Sequence, residues 1–263
     1  MWNIYYYGNM GANGAIYFPT TLGNYYIIKV RKDLSNDNCN FAIFNNGTVP
    51  PVSLSSLAHS YSDPNLLINV TISGNKGTTE KVWVRYTTDR WATSSTVEAN
   101  TDLGSNVWQA SIAYTDGKIV EYYAYSTIDQ NTAPAENNAD FYTVSYLNNS
   151  GNNYKFARFT GSYYIGENGT GPSGSTPDFS TLKSACDLLN SSTIIGNVNL
   201  YITSNITESQ NFGLGVNTNS YTIKILPSAD ADRTISFTQS TDNTALSGGF
   251  IIGIKNVNNW NTL

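Results

Sequence analysis

The stretch VWVRYTTDRWATSSTVEANTDLGSNVWQASI, Val82 to Ile112, decides the fold. Its first run alternates: Val82, Val84 and Tyr86 fall on one side of an extended chain, and Trp83, Arg85 and Thr87 on the other. Polar turn residues then lead to VWQASI, and KIVEYYAYS follows, where Ile119, Glu121, Tyr123 and Tyr125 oppose Val120, Tyr122 and Ala124. With LLINVTI ahead, and with ENNADFYTV (136–144) and FYTVSY behind, the region holds about six or seven short strands at regular spacing. The expectation is an antiparallel β-sandwich over residues 63–148 that carries aromatic rings at its turns. That pattern belongs to a binding module rather than to a catalyst.

The flanks extend the all-β reading. Upstream, strand-like runs at 4–7, 15–18, 25–31 and 41–44 are separated by Gly and Asn turns and predict an N-terminal β unit over 1–62, closed by the break VPPVSL. Downstream, after the Gly/Ser/Pro loop GENGTGPSGSTPD, Asp178 can cap a helix near 178–190 whose Phe179, Leu182, Cys186 and Leu189 share one face. NVNLYI, YTIKIL, RTISF and GFIIGI then recur as short strands between polar turns. Strands recurring in this way behind one short amphipathic helix predict the first coils of a parallel β-helix over 154–263, with the helix as its cap.

Composition narrows the partners. The chain is 40% hydrophobic but only 13% charged, with 19 Tyr and about one Asn in eight residues, so it can build a core under a polar, nearly uncharged surface. A net charge of −5 and no clustered basic patch argue against nucleic acid and anionic membranes. No run reaches the roughly 20 apolar residues of a membrane span, so membrane insertion is not expected. The opening MWNIYYYGNMG lacks the charged and apolar regions of a secretory signal, and Met1 is expected to begin a trimmed or recombinant chain. Low Lys with high Thr, Asn and Tyr fits a secreted or surface-exposed bacterial β protein. Six Asn-x-Ser/Thr sequons between Asn46 and Asn205 follow from the Asn and Thr content.

Catalytic constellations are scarce. His59 is the sole histidine, in the linker-like AHSYSDP, which leaves little room for a nucleophile–histidine pair or a His/Cys zinc site. Asp230 and Asp232, in SADADRT, read as solvated turn charges or a weak calcium site. Cys39 and Cys186 fall in different segments and read as two free thiols ahead of a disulfide. No enzyme activity, cofactor or resident metal is expected.

VWVRYTTDRW (82–91) and ENNADFYTV (136–144) resemble motifs of starch- and glycogen-binding modules, which carry a V-x-V-R-x-x-x-D-x-W strand-turn and a D-N-N-x-x-x-Y strand entry. The chain departs from them at Ala135 and Glu136, where those modules usually have an aromatic residue and Asp. The same strand-turn resembles generic sandwich modules of multi-domain bacterial surface proteins. The resemblance implies neutral-glycan binding. A pyranose presents a face of C–H groups that stacks on an exposed indole or phenol, while its hydroxyls pair with planar amides. Trp91 and Tyr142 would supply the rings, Asn137 and Asn138 the hydrogen bonds, and Trp83 and Trp108 would belong to the core. The expected function is extracellular or cell-surface recognition or adhesion, with a neutral polysaccharide as partner. The alternatives are a structural subunit of a surface layer, fibre or adhesin stalk that self-associates through exposed β edges, and the ancillary part of a carbohydrate-active enzyme.

Overall fold

The computed structural model describes residues 4–10, 18–32, 39–77, 79–128, 143–210, 212–216, 218–228, 232–237 and 253–254. Strands make up 51% of the chain, and the described residues hold one α-helix. The chain divides into two compact units: Met1–Tyr114 with Glu121–Tyr154, and Thr115–Val120 with Lys155–Leu263.

The first unit is built from antiparallel arrays. Strands β1 (Ile4–Met10), β2 (Tyr26–Lys32) and β3 (Cys39–Asn45) form a sheet in the order β1-β3-β2. Strands β4 (Leu54–Ser62), β5 (Asn65–Ile72), β8 (Thr101–Asp102) and β9 (Val107–Ala113) pair in the order β4-β5-β9-β8. In the third array β6 (Glu80–Thr87) lies between β7 (Ser95–Glu98) and β10 (Ile119–Ile128), and β11 (Thr143–Leu147) pairs with β10.

Period-2 patterning explains which faces are covered. Along β5, Leu66, Ile68, Val70 and Ile72 are buried while the residues between them are half-buried, and Ala110 and Ile112 continue that face on β9. On the third array Val82, Val84, Tyr122 and Ala124 form the corresponding apolar face. Burial of each large aliphatic side chain contributes about 1.5–3 kcal/mol. Two cross-links tie these arrays: the Leu54 N–H donates to Ser145 Oγ at 2.9 Å, and His59 Nδ1 shares a 2.7 Å hydrogen bond with Tyr122 Oη. Phe44 and Ile128 pack together with Ile27 and Val144 and join the first sheet to the third array.

A buried carboxylate pins three segments of this unit. Glu80 is fully buried and accepts hydrogen bonds from the Val52 N–H (3.0 Å), the Gly77 N–H (3.0 Å) and Asn46 Nδ2 (3.2 Å). A buried charge persists when its lone pairs are filled in this way. The sequon residue Asn46 is thereby an interior structural group.

The second unit pairs its strands in parallel. Strands β12 (Tyr154–Ile165), β13 (Thr193–Ile202) and β16 (Ile223–Pro227) run side by side, and β14 (Ile206–Glu208) pairs with β17 (Ile235–Phe237), as β15 (Gly213–Leu214) does with β18 (Gly253–Ile254). Asparagine side chains stitch successive segments: Asn197 Oδ1 accepts from the Thr222 N–H, Asn205 Oδ1 from the Thr234 N–H, and Asn190 bonds both Gly213 O and the Gly215 N–H.

Helix α1 (Leu182–Asn190) closes onto this core. Leu182, Ala185, Cys186 and Leu189 are buried in one cluster with Phe159, Val198, Leu200 and Ile202. Its cap is Thr181 rather than Asp178: Thr181 Oγ1 accepts from the Ser184 N–H and Ser184 Oγ reaches back, forming a capping box. Asp178 is engaged elsewhere, accepting from the Tyr164 N–H at 2.9 Å. The helix N-terminus also receives the buried Glu208 carboxylate, 2.6 Å from the Leu182 N–H, where the helix dipole favours an anion. Cys186 is a free buried thiol, its pKa pushed up to about 12 by burial and by the nearby Asp187 and Glu208 carboxylates.

Candidate functional site

The site is built by the turn that follows β6. Thr87 is buried at the strand end, and its Oγ1 donates to Asp89 Oδ1 at 2.6 Å while accepting from the Asp89 and Trp91 N–H groups, both at 3.1 Å. Asp89 then accepts from the Thr93 N–H at 2.9 Å and from Thr93 Oγ1 at 2.6 Å. The bonds from Thr87 and Thr93 hold the Asp89 carboxyl at about 2, well below its ordinary 3.8. This closed network fixes Arg90 and Trp91 in consecutive left-handed conformations, φ 58° and 66°. Such backbone is costly for side-chain-bearing residues and persists where surrounding bonds over-determine it.

The turn sets Trp91 beside the aromatic face of β10. The Trp91 ring lies 5.5 Å from that of Tyr123, tilted by 33°, and Trp91 Nε1 donates to Glu121 Oε2 at 3.0 Å. From Tyr123 the contacts continue to Tyr125 at 5.9 Å and to Tyr146 on β11 at 5.4 Å, the latter edge-on at 70°. Glu121 and Tyr123 are half-buried and alternate with the buried Tyr122 and Ala124, which is why they share the opposite face of the strand; Tyr125, next on that face, is buried. Trp91 and Tyr123 are half-buried, and Tyr146 is 54% exposed. Asn148 Nδ2 donates to Tyr146 Oη at 2.7 Å, placing an amide next to the exposed ring. Arg85 stands directly across from Tyr123 on β6 and donates from Nε to Ser94 Oγ. The result is a run of rings, with amide and charged groups at its margin, held in a fixed arrangement.

Of the four residues expected to bind ligand, Trp91 is placed in this array, while Asn137, Asn138 and Tyr142 lie outside the described residues. Trp83 is buried and donates from Nε1 to Thr127 Oγ1 at 2.9 Å. Trp108 departs from its expected core position: it is half-buried, with Lys76 Nζ 4.1 Å over its ring. Its partner Val70 is fully buried, but Trp108 sits one residue from the start of β9, where the sheet runs out and an ammonium covers the indole. Sequence reasoning passed over Tyr123, Tyr146 and the Thr87–Asp89–Thr93 lock. The alternation of IVEYYAYS already grouped Glu121, Tyr123 and Tyr125; no local signal tied that face to the Trp91 turn.

His59, on β4, is a solvent-exposed residue whose ring nitrogen meets the buried Tyr122 hydroxyl in the hydrogen bond given above; partial desolvation of the ring lowers its pKa, and burial raises that of Tyr122. Among the described residues no group of three or more His, Cys, Asp and Glu side chains is arranged to hold a metal ion, and Asp230 lies outside them. No described helix is long and apolar enough to cross a membrane. No protein-family model matches the chain, and no curated protein or solved structure matches it.

Proposed function

We propose that this chain is a non-enzymatic extracellular or cell-surface recognition protein that binds a neutral glycan on the Trp91–Tyr123–Tyr146 face. One observation carries the reading: Trp91 is held by a hydrogen-bonded turn beside a second ring, and the ring contacts run on to an exposed tyrosine. A ring that only filled a turn would need neither the rigid support nor the neighbours. Stacking suits the C–H face of a pyranose, the Asn148 amide suits its hydroxyls, and a nearly uncharged surface suits a ligand without charge.

In this reading residues 63–148 form a β-sandwich of the starch-binding type behind an N-terminal β unit over 1–62. The parallel ladders of 154–263 are then the first coils of a β-helix, with α1 as their cap. A structural role as a spacer is the second reading, favoured by the asparagine stitching between parallel segments. Screening the protein and Trp91→Ala against maltooligosaccharides, xylan and cellulose fragments and a broad glycan array separates the two. Weak binding to a neutral glycan that Trp91→Ala removes supports recognition; no binding to any glycan leaves the spacer reading.

A further inference from the structure

A separate feature lies on β2. Among the described residues seven large hydrophobic side chains stand exposed, and four of them, Leu22, Tyr25, Ile28 and Val30, fall within nine residues of chain. Ile28 is 52% and Val30 59% exposed, on a strand at the edge of its sheet. Natural edge strands are blunted by charge, proline or a covering segment, because an open edge templates the pairing of another strand; on β2 the blunting is by cations, which oppose a like-charged strand and leave the edge open to one of opposite charge. Charge selects what can pair there. The strands of this sheet carry Lys29, Arg31 and Lys32 and no Asp or Glu, within a chain of net charge −5. Full antiparallel overlap of β2 with its counterpart in a second copy would set Lys29 opposite Lys29, and like charges directly opposite across a strand pair are destabilising.

We propose that the edge of β2 is a strand-addition site for an extended segment of a partner protein in which apolar residues alternate with Asp or Glu. Backbone hydrogen bonds to the edge supply affinity, Ile28 and Val30 receive the apolar positions, and the cationic strand selects the acidic ones. This surface is distinct from the ring array and stands whether or not that array binds a glycan.

The test titrates the intact chain with three synthetic peptides: alternating Val and Glu, alternating Val and Lys, and the Val/Glu peptide N-methylated at every residue, which removes the donors from both of its edges. Calorimetry gives affinity, and amide hydrogen exchange over residues 26–32 locates binding. The Val/Glu peptide binds and protects the β2 amides, and the other two bind about tenfold more weakly or not at all. Lys29→Glu narrows the preference for the acidic peptide, and Ile28→Thr, an exposed change that leaves the core untouched, weakens its binding. Equal affinity for the Val/Lys peptide overturns the charge selection, and undiminished binding of the N-methylated peptide overturns strand addition. Absence of binding, or protection of β2 through concentration-dependent association of the chain with itself, overturns the acidic partner.

Discussion

Replacing Leu189 with Ala probes the packing that holds the second unit together. Leu189 is fully buried, shares its cluster with Leu182, Val198 and Leu200, and belongs to a helix of nine residues. A helix that short is marginal alone and is held by packing. Truncation loses the transfer free energy of the deleted groups and leaves a cavity. The helix cannot slide to fill it while Thr181 and Glu208 fix its first turn. The expected cost is about 2–5 kcal/mol, on the order of 10–20 °C in melting temperature for a unit of this size. Cys186 supplies the assay, because its buried thiol, with its pKa pushed up to about 12, reacts with a disulfide reagent only when the helix opens. In a Cys39→Ser, Trp260→Phe background Cys186 is the sole thiol and every tryptophan falls in the first unit. Leu189→Ala should expose the thiol at a lower temperature while the tryptophan transition stays in place. Labelling of Cys186 at the parent temperature would refute the reasoning.

Three further outcomes follow from particular contacts. Glu80→Ala strands the Val52 and Gly77 N–H groups and Asn46 Nδ2 in the interior and should lower the stability of the first unit by about 3 kcal/mol or more, read by urea denaturation. The folded-state pKa of Asp89 is depressed, so the support it gives the Trp91 turn is complete above its ordinary 3.8 and lost as pH falls towards about 2. Trp91 fluorescence should therefore be flat from pH 5 to 8 and change only in that acid window, and Asp89→Asn should abolish the transition. A Cβ at Gly166 would overlap the hydroxyls of Thr203, Ser204 and Thr170, so Gly166→Ala should cost about 1–3 kcal/mol in thermal unfolding of the second unit.

Strand faces were legible in the sequence wherever burial is one-sided. The alternation of LLINVTI becomes the strict in-and-out burial of β5, and that of IVEYYAYS separates Tyr122 and Ala124 from Tyr123. The helix was legible because Leu182, Cys186 and Leu189 recur on one face, but its cap was not. Asp178 and Thr181 are both competent N-caps, and the choice depends on the long-range demand of the Tyr164 N–H for an acceptor. The same limit applies to the candidate site. Trp91 announces itself as a large apolar residue in a polar turn, whereas its neighbours Tyr123 and Tyr146 come from β10 and β11 through strand register that no local pattern encodes. Glu80 was equally silent, since nothing adjacent in sequence shows that Asn46, Val52 and Gly77 converge on it.

The central claim is that the Trp91–Tyr123–Tyr146 face recognises a neutral sugar, and calorimetric titration of the best neutral oligosaccharide into the protein and its Trp91→Ala variant tests it most directly. The other half-buried indole among the described residues, Trp108, serves as control through Trp108→Ala. Loss of one stacking ring should weaken binding about tenfold or more, while Trp108→Ala leaves the affinity unchanged. Equal affinity for the parent and Trp91→Ala would contradict the account.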